Sequence, residues 1–165
     1  MVKKNGESRP YSGERFCPEL TGNIALEHLH RYALARLICG GKCVLDIACG
    51  EGEAYSSAAL AEVTTYFISE DISSEVITHA SHRYHLPNLE FEVGNCDAIP
   101  VPDGAVDVVV SFETLEHHGR HAQMIRELKR VMVPNGGINI NTGYTAILHR
   151  PILQKSLSCE GAGPP

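Results

Sequence analysis

The chain has 165 residues, of which 43% are hydrophobic and 21% charged, and its formal net charge is -6. This length suits one domain with a proper core, and the composition is that of a soluble globular protein. The negative charge argues against a nucleic-acid groove. Because no apolar run reaches the roughly 20 residues of a membrane span and the N-terminus has no apolar signal-peptide core, we expect a cytoplasmic protein without nucleic-acid or membrane partners.

The six cysteines contain no Cys-x-x-Cys pair. Cys39, Cys43 and Cys49 surround a predicted buried strand, where a free cysteine behaves as a small hydrophobic residue. We therefore predict core cysteines, with neither disulfides nor a metal site.

The first predicted element is a helix. Residues 1–20 are rich in glycine, proline, serine and charge, and we interpret them as a flexible arm. After Thr21-Gly22-Asn23, apolar residues recur at three-and-four spacing until Gly40-Gly41, which predicts an amphipathic helix. Its polar residues, among them Arg31, form either a solvated face or a contact with the carboxylate of a ligand.

The stretch Val44–Gly52 organises the chain. Its apolar run predicts a buried strand that ends in a tight turn leading into a helix from Tyr55 to Glu62. Gly50 and Gly52 let a ligand approach the backbone closely, and the Asp46 carboxylate accepts hydrogen bonds from a ligand amine or from the loop. The third glycine of the dinucleotide fingerprint is missing, which favours a ligand without a pyrophosphate.

The run Asp46-x-Ala48-Cys49-Gly50-x-Gly52 resembles the first motif of the class I S-adenosylmethionine-dependent methyltransferases. The resemblance implies that these residues bind the cofactor, with the glycines passing under its methionine part. It also implies an α/β fold, a Rossmann-like three-layer αβα sandwich with a mostly parallel sheet.

The second predicted strand, Thr64–Ile68, leads to Asp71. An acid about 20 residues past the glycines of a nucleotide-binding unit accepts hydrogen bonds from both ribose hydroxyls. The alternative role, capping the next predicted helix, which begins at about Ser74, suits Ser73 or Ser74 better. We therefore assign Asp71, followed by Ile72, to the cofactor, and Glu70 is a weaker rival for the same role.

The third predicted strand, Leu89–Val93, is followed by a loop of family type that ends in Ile99-Pro100. In the family, an acid of this loop accepts a hydrogen bond from the adenine amine. Anchoring on Ile99-Pro100 puts Asn95 at the position of that acid, with Asp97 two residues later. Either side chain can accept the bond, so both remain candidates, together with Cys96 between them.

The fourth predicted strand, Val106–Phe112, is a β-branched run typical of a buried parallel strand. The segment from Phe112 and Glu113 to His118 resembles the family segment that lines the cofactor and faces the methyl acceptor. Histidine changes charge near neutral pH, which suits a general base. His117 is the first candidate and His118 the second, and a purely structural role is an equal alternative.

The apolar pattern of residues 121–131 predicts a further amphipathic helix. The proline and glycines of Val133–Gly137 predict that this helix ends there, before a fifth strand at Ile138–Asn141. Family motifs thus follow in order over residues 43–141, and we define residues 21–141 as the methyltransferase domain. The family continues with more structure, so we expect a sheet truncated after the fifth strand, with residues 142–165 as a partly disordered tail. The uncovered edge would favour a homodimer.

The sequence therefore predicts an S-adenosylmethionine-dependent methyltransferase that acts on a small molecule or glycan, chiefly on oxygen. A weak likeness of residues 13–32 to leaders of bacterial methyltransferases of cell-surface saccharide synthesis ranks glycans among the acceptors. One alternative is a non-catalytic cofactor-binding module, because the acceptor-binding region would be missing. A second is a nicotinamide-dependent oxidoreductase, against which the incomplete glycine motif argues. A metal-dependent O-methyltransferase is a third possibility, but the sequence offers no clear set of carboxylate ligands beyond the acids assigned to the cofactor.

Overall fold

The structure is a computed structural model that describes residues 23–141. For residues 23–29, 51–56, 139 and 141 it describes the backbone alone. The predicted arm (residues 1–20) and the predicted tail (residues 142–165) lie outside the described residues and stay predictions.

Helices and strands alternate along residues 23–141. The helices are α1 (Asn23–Cys39), α2 (Gly50–Ala61), α3 (Ser74–Arg83) and α4 (His121–Val131), with a short 3-10 turn at Leu115–His117. The strands are β1 (Cys43–Ile47), β2 (Tyr66–Asp71), β3 (Leu89–Val93), β4 (Val106–Phe112) and β5 (Met132–Asn141).

The five strands form one parallel sheet in the order β3-β2-β1-β4-β5. Leu45 at the centre of β1 is in register with Ile68 of β2 and with Val109 of β4. Strands β2 and β3 lie on one side of β1, and the later strands β4 and β5 lie on the other side. The strand order therefore reverses between β1 and β4. This is the doubly wound arrangement, and it confirms the predicted α/β fold.

The core consists of two apolar layers, one on each face of the sheet. Tyr32 and Ala35 of α1 and Leu60 of α2 pack on one face, where Phe67 is fully buried. Met124 and Leu128 of α4 pack on the other face. Both faces of the central strands are covered, which explains the β-branched runs in which hydrophobic residues follow one another directly.

The glycine segment differs from the prediction because α2 begins at Gly50 and not near Tyr55. The turn is therefore shorter than predicted, and Gly52 lies in the first turn of the helix. The side chain of the N-cap residue, Cys49, makes no capping hydrogen bond to this helix. The amide of Gly50 instead donates to a carboxylate of another strand, at 3.0 Å from Asp71 Oδ2, a favourable partner for a helix N-terminus.

The predicted break at Val133–Gly137 is also placed differently. Strand β5 begins at Met132, directly after α4, and runs to Asn141. Met132 pairs with Val106, but Gly137 pairs with Val108, so the residues between them form an irregularity in the register. The turn-forming residues thus bulge out of a continuing strand and do not separate the helix from the strand.

Among residues 23–141, none of the helices combines the length and the apolar character needed to cross a membrane.

Candidate functional site

A cavity of about 680 Å³ opens where the strand order reverses. The carboxyl ends of parallel strands meet at this edge of the sheet, which is the usual ligand site of open α/β folds. The cavity is lined by Ile47, Ala48, Gly50, Glu70, Asp71, Ile72, Gly94, Asn95, Cys96, Phe112, Glu113, Thr114, His117, His118, Gly119 and Arg120.

The backbone at this edge takes rare conformations. Ala48 and Glu113, directly after the neighbouring strands β1 and β4, have φ values of 61° and 56°, in the left-handed region that non-glycine residues seldom adopt. Gly50 has a φ of 58°, and a Cβ added there would meet no atom within 4 Å. Such conformations concentrate at ligand sites, where the surrounding structure holds them in place.

Asp71 connects two parts of this site. Its Oδ2 accepts a hydrogen bond from the amide of Gly50 at 3.0 Å, and its Oδ1 accepts one from the amide of Ser73 at 2.8 Å. Of the two expected candidates, Ser73 and Ser74, Ser73 is the N-cap of α3, since its Oγ accepts from the amide of Val76. The carboxylate is therefore held rigidly at the cavity wall, next to Ile72, which is 70% exposed.

The remaining residues of the glycine motif lie behind the cavity wall. Asp46 is fully buried, and its Oδ2 accepts hydrogen bonds from the hydroxyls of Tyr32 and Ser57, at 3.2 and 2.7 Å. Cys49 is also fully buried, and its amide donates to the carbonyl of Glu70. In this structure Asp46 thus ties α1 and α2 to the sheet, and a contact between Asp46 and a ligand stays a prediction.

The loop after β3 separates the two candidates for adenine recognition. Asn95 lines the cavity, and its Oδ1 accepts from the amide of Asp97 at 3.0 Å. Asp97 is 5% exposed. Its Oδ1 lies 2.6 Å from His118 Nε2, and its Oδ2 lies 2.5 Å from the Arg120 guanidinium. The Asp97 carboxylate is thus committed to protein partners, whereas Asn95 borders the cavity.

His118 bridges two side chains of that loop. Its Nδ1 lies 3.4 Å from Cys96 Sγ, while its Nε2 faces Asp97. Ligand atoms of Cys96, Asp97 and His118 lie within 4.8 Å of one another, a grouping of metal-ligand types that the sequence analysis missed. The positively charged guanidinium of Arg120 pairs with the carboxylate of Asp97, one of these three residues. Burial, reinforced by Asp97 and Glu70, raises the pKa of the Cys96 thiol, which favours its neutral form.

His117 differs from its neighbour. It lines the cavity, its side chain is exposed, and its imidazole makes no hydrogen bond to another residue in the described part of the chain. The imidazole of His118, in contrast, has a partner at each ring nitrogen. Of the two candidate bases, His117 is therefore the one whose ring nitrogens remain available.

Glu70 is a buried acid at the floor of the cavity. It is 1% exposed, and burial, together with Asp71 and Glu127, raises the pKa of its carboxyl to about 7. Its Oε2 makes no hydrogen bond within residues 23–141. A Cβ at Gly94 would lie 2.5 Å from Glu70 Cδ, so any side chain at position 94 would force the carboxyl out of its present position.

Helix α1 contacts the cavity-lining residue Glu113 through Arg31. Its guanidinium lies 2.5 Å from Oε1 of Glu113, the residue with left-handed backbone at the end of β4. Tyr32, the next residue on α1, packs edge-on against the ring of Phe112, with 5.0 Å between the ring centroids. The described partner of Arg31 is thus a carboxylate of the protein itself, and a contact between Arg31 and a ligand carboxylate stays a prediction.

Comparison with known proteins agrees with this architecture. A methyltransferase domain family matches residues 45–140. A probable S-adenosylmethionine-dependent methyltransferase of Mycolicibacterium smegmatis is 35% identical over 135 residues, which cover 81% of this chain and 51% of that protein. A fatty-acid O-methyltransferase of the same species is 28% identical over 67% of this chain and 43% of its own length.

Among solved structures, an S-adenosylmethionine-dependent methyltransferase of Aquifex aeolicus has a TM-score of 0.62 and 25% identity, over 76% of this chain and 72% of that one. The chain spans about half the length of the curated relatives that it matches first. The resemblance seen in the motifs is confirmed: the chain belongs to the methyltransferase domain family of the class I, S-adenosylmethionine-dependent type.

Proposed function

We propose that this chain binds S-adenosylmethionine in the cavity and transfers its methyl group to a small-molecule or glycan acceptor, chiefly to oxygen. The observation that carries the proposal is Asp71, which lines the cavity and accepts from the first amide of the glycine-turn helix. Family membership and relatives named for this cofactor support the same activity.

The described residues fit the proposed cofactor. The open backbone at Ala48 and Gly50 would accept its methionine part, and the Asp71 carboxylate would accept hydrogen bonds from the ribose hydroxyls. Asn95 and the backbone of Cys96 would border the adenine, with Ile72 against its face. We favour Asn95 over Asp97 for the adenine amine because Asp97 is committed to His118 and Arg120.

When bound, the cofactor supplies a methyl group on a positively charged sulfur. The main task of the chain is then to hold donor and acceptor in line, since positioning alone removes much of the barrier of a bimolecular step. Phe112 and Glu113 form the wall between the glycine turn and the histidines. His117 would take the proton from an acceptor hydroxyl, because its imidazole faces the cavity and is not engaged by a described residue.

The acceptor class rests on less specific support. One relative is named a fatty-acid O-methyltransferase, which favours oxygen as the methylated atom. The acceptor panel should therefore contain fatty acids in addition to hydroxylated small molecules and glycan ends. A homodimer through the β5 edge, which pairs with no further strand among residues 23–141, and a cytoplasmic location stay predictions.

The experiment that tests the proposed function has two stages. Calorimetric titration of S-adenosylhomocysteine into the folded chain should give micromolar binding, with nicotinamide dinucleotides as the negative control. Transfer of a labelled methyl group to the acceptor panel should then give a labelled product. Binding without transfer to any acceptor would favour the non-catalytic module, and absence of binding would reject the proposal.

A further inference from the structure

The Glu70 carboxyl has a place and an environment that the proposed cofactor contacts do not use. It lies on β2 one residue before Asp71, in register with Ile47 of β1 and Glu92 of β3. It lines the same cavity as Gly94 and Asn95. A polar group 1% exposed normally has a hydrogen-bond partner, yet Oε2 has none within residues 23–141.

The carboxyl occupies the space that a side chain at position 94 would fill. Its Cδ, Cγ and Oε1 all lie within 2.7 Å of the position that a Cβ of residue 94 would take. Gly94 thus leaves the space that the carboxyl fills, directly below the loop that carries Asn95 and Cys96. A buried carboxyl at a ligand cavity, with one oxygen that makes no hydrogen bond within residues 23–141, is placed to bind a polar edge of the ligand.

The charges around Glu70 favour its neutral form. The titratable groups on the elements packed around it are Asp71, Glu92, Cys96, Asp97, His118 and Glu127, with Arg120 as a cation. Arg120 is held by Asp97, and Glu127 is held by Arg130. The acidic neighbours and the burial therefore act on Glu70 in the same direction, and they raise the pKa of its carboxyl to about 7.

We propose that Glu70 is a specificity residue that reads the purine of the cofactor as a neutral carboxylic acid. A neutral carboxyl presents one O–H donor and one carbonyl acceptor side by side. The amino edge of adenine carries an N–H donor beside a ring-nitrogen acceptor, which is the complementary pair. An ionised carboxylate has only acceptors and would repel the ring nitrogen. This inference rests on the proposed binding of S-adenosylmethionine.

The test uses 5′-methylthioadenosine, a nucleoside thioether without the titrating amino-acid part of the cofactor. A group with a pKa of about 7 is mostly neutral at about pH 6 and about one tenth neutral at about pH 8. The wild-type affinity, measured by calorimetry, should therefore fall about tenfold between these values. Glu70→Gln keeps a donor and an acceptor side by side at every pH, so its affinity should stay at the wild-type low-pH value.

Glu70→Gln also controls for pH effects of the other titratable groups, because the variant retains all of them. Infrared difference spectra of the wild type supply a second measurement that needs no variant: addition of the nucleoside should perturb the carbonyl band of a protonated carboxyl. Equal wild-type affinity at both pH values, or an equal fall in Glu70→Gln, would overturn the inference but leave the proposed function intact. Failure of the folded wild type to bind the nucleoside at any pH would also overturn the inference, and failure to bind S-adenosylhomocysteine as well would overturn the proposed function too.

Discussion

The carboxylate of Asp97 lies 2.6 Å from Nε2 of His118, between the loop after β3 and the loop before α4. Arg120 contacts the other oxygen of the same carboxylate at 2.5 Å. Asp97 is almost fully buried, whereas Arg120 reaches it from the surface. The two loops form adjacent walls of the cavity, so these contacts tie the walls together.

Asp97→Asn should destabilise the fold by roughly 1–3 kcal/mol, because it removes the charge that both partners face in a buried position. Chemical denaturation measures this loss directly. Asp103→Asn is the matched control, since Asp103 also pairs with an arginine, Arg130, but its side chain is 81% exposed. That pair should contribute no more than about 1 kcal/mol. Equal losses in the two variants would contradict a structural role for Asp97.

Asp71→Ala should weaken the binding of S-adenosylhomocysteine by about 1–3 kcal/mol, the range for hydrogen bonds to a charged group. The variant loses the proposed ribose contact and also frees the amide of Gly50. Isothermal calorimetry gives the affinity, and circular dichroism verifies the fold. Asp103→Ala, a surface acid outside the cavity lining, should bind as the wild type does. Unchanged affinity in Asp71→Ala would remove Asp71 from the cofactor site.

His117→Ala should lower the turnover number by roughly 10²–10⁴-fold, the usual contribution of a general base, and leave cofactor affinity nearly unchanged. The comparison variant is His118→Ala, which should mainly lower thermal stability, since that imidazole is bonded to Asp97 and Cys96. Steady-state kinetics with an acceptor found in the panel separates the two effects. If His117→Ala instead loses cofactor binding, its role is structural.

Glu70→Gln should raise thermal stability at neutral and alkaline pH. The pKa of the Glu70 carboxyl rises from 4.5 to about 7 on folding, so the folded state holds a proton that the unfolded state releases between these values. Stability is therefore lost as the pH rises from 4.5 to about 7, by an upper limit of roughly 3 kcal/mol.

The melting temperature of Glu70→Gln should thus equal that of the wild type below about pH 4.5, and exceed it increasingly up to about pH 7. Above about pH 7 the difference in melting temperature should stay constant, because the Glu70 carboxyl is then ionised in both the folded and the unfolded wild type. A difference that does not change with pH would show that the buried carboxyl titrates normally.

Gly94→Ala should destabilise the fold by about 1–3 kcal/mol, as expected for overpacking, because the new Cβ would lie 2.5 Å from Glu70 Cδ. Shortening the acid in Glu70→Ala/Gly94→Ala should recover most of the loss caused by the alanine at position 94. Gly119→Ala is the control, since its Cβ would meet no atom within 4 Å. A double variant whose two effects simply add would rule out direct contact as the cause.

Much of the fold could be predicted from local pattern. The β-branched run of β4 and the apolar stripe of α4 reflect burial on the sheet, and burial is what periodicity measures. The structure of the segment Val133–Gly137 could not be predicted from its local pattern. Its proline and glycines are typical of a break, but residues 133–136 instead bulge from a strand whose pairing continues on both sides.

The location of a candidate site residue was predictable where it follows from the position on a strand, as with Asp71 at the end of β2. It was not predictable where side chains from separate loops meet. Cys96 and Asp97 precede His118 by more than 20 residues, and their contact depends on how two irregular loops close over the cavity. No spacing rule connects such residues, so Arg120 and the grouping around His118 went unnoticed.

The packing of the Glu70 carboxyl beneath Gly94 also constrains how this cavity can change over generations. A side chain at position 94 would force the acid at position 70 to shift, so an acid at position 70 favours glycine at position 94. The reverse does not hold, since glycine tolerates any neighbour. An evolutionary path therefore avoids this strain when it gains the acid after glycine is present at position 94, or loses the acid before the glycine.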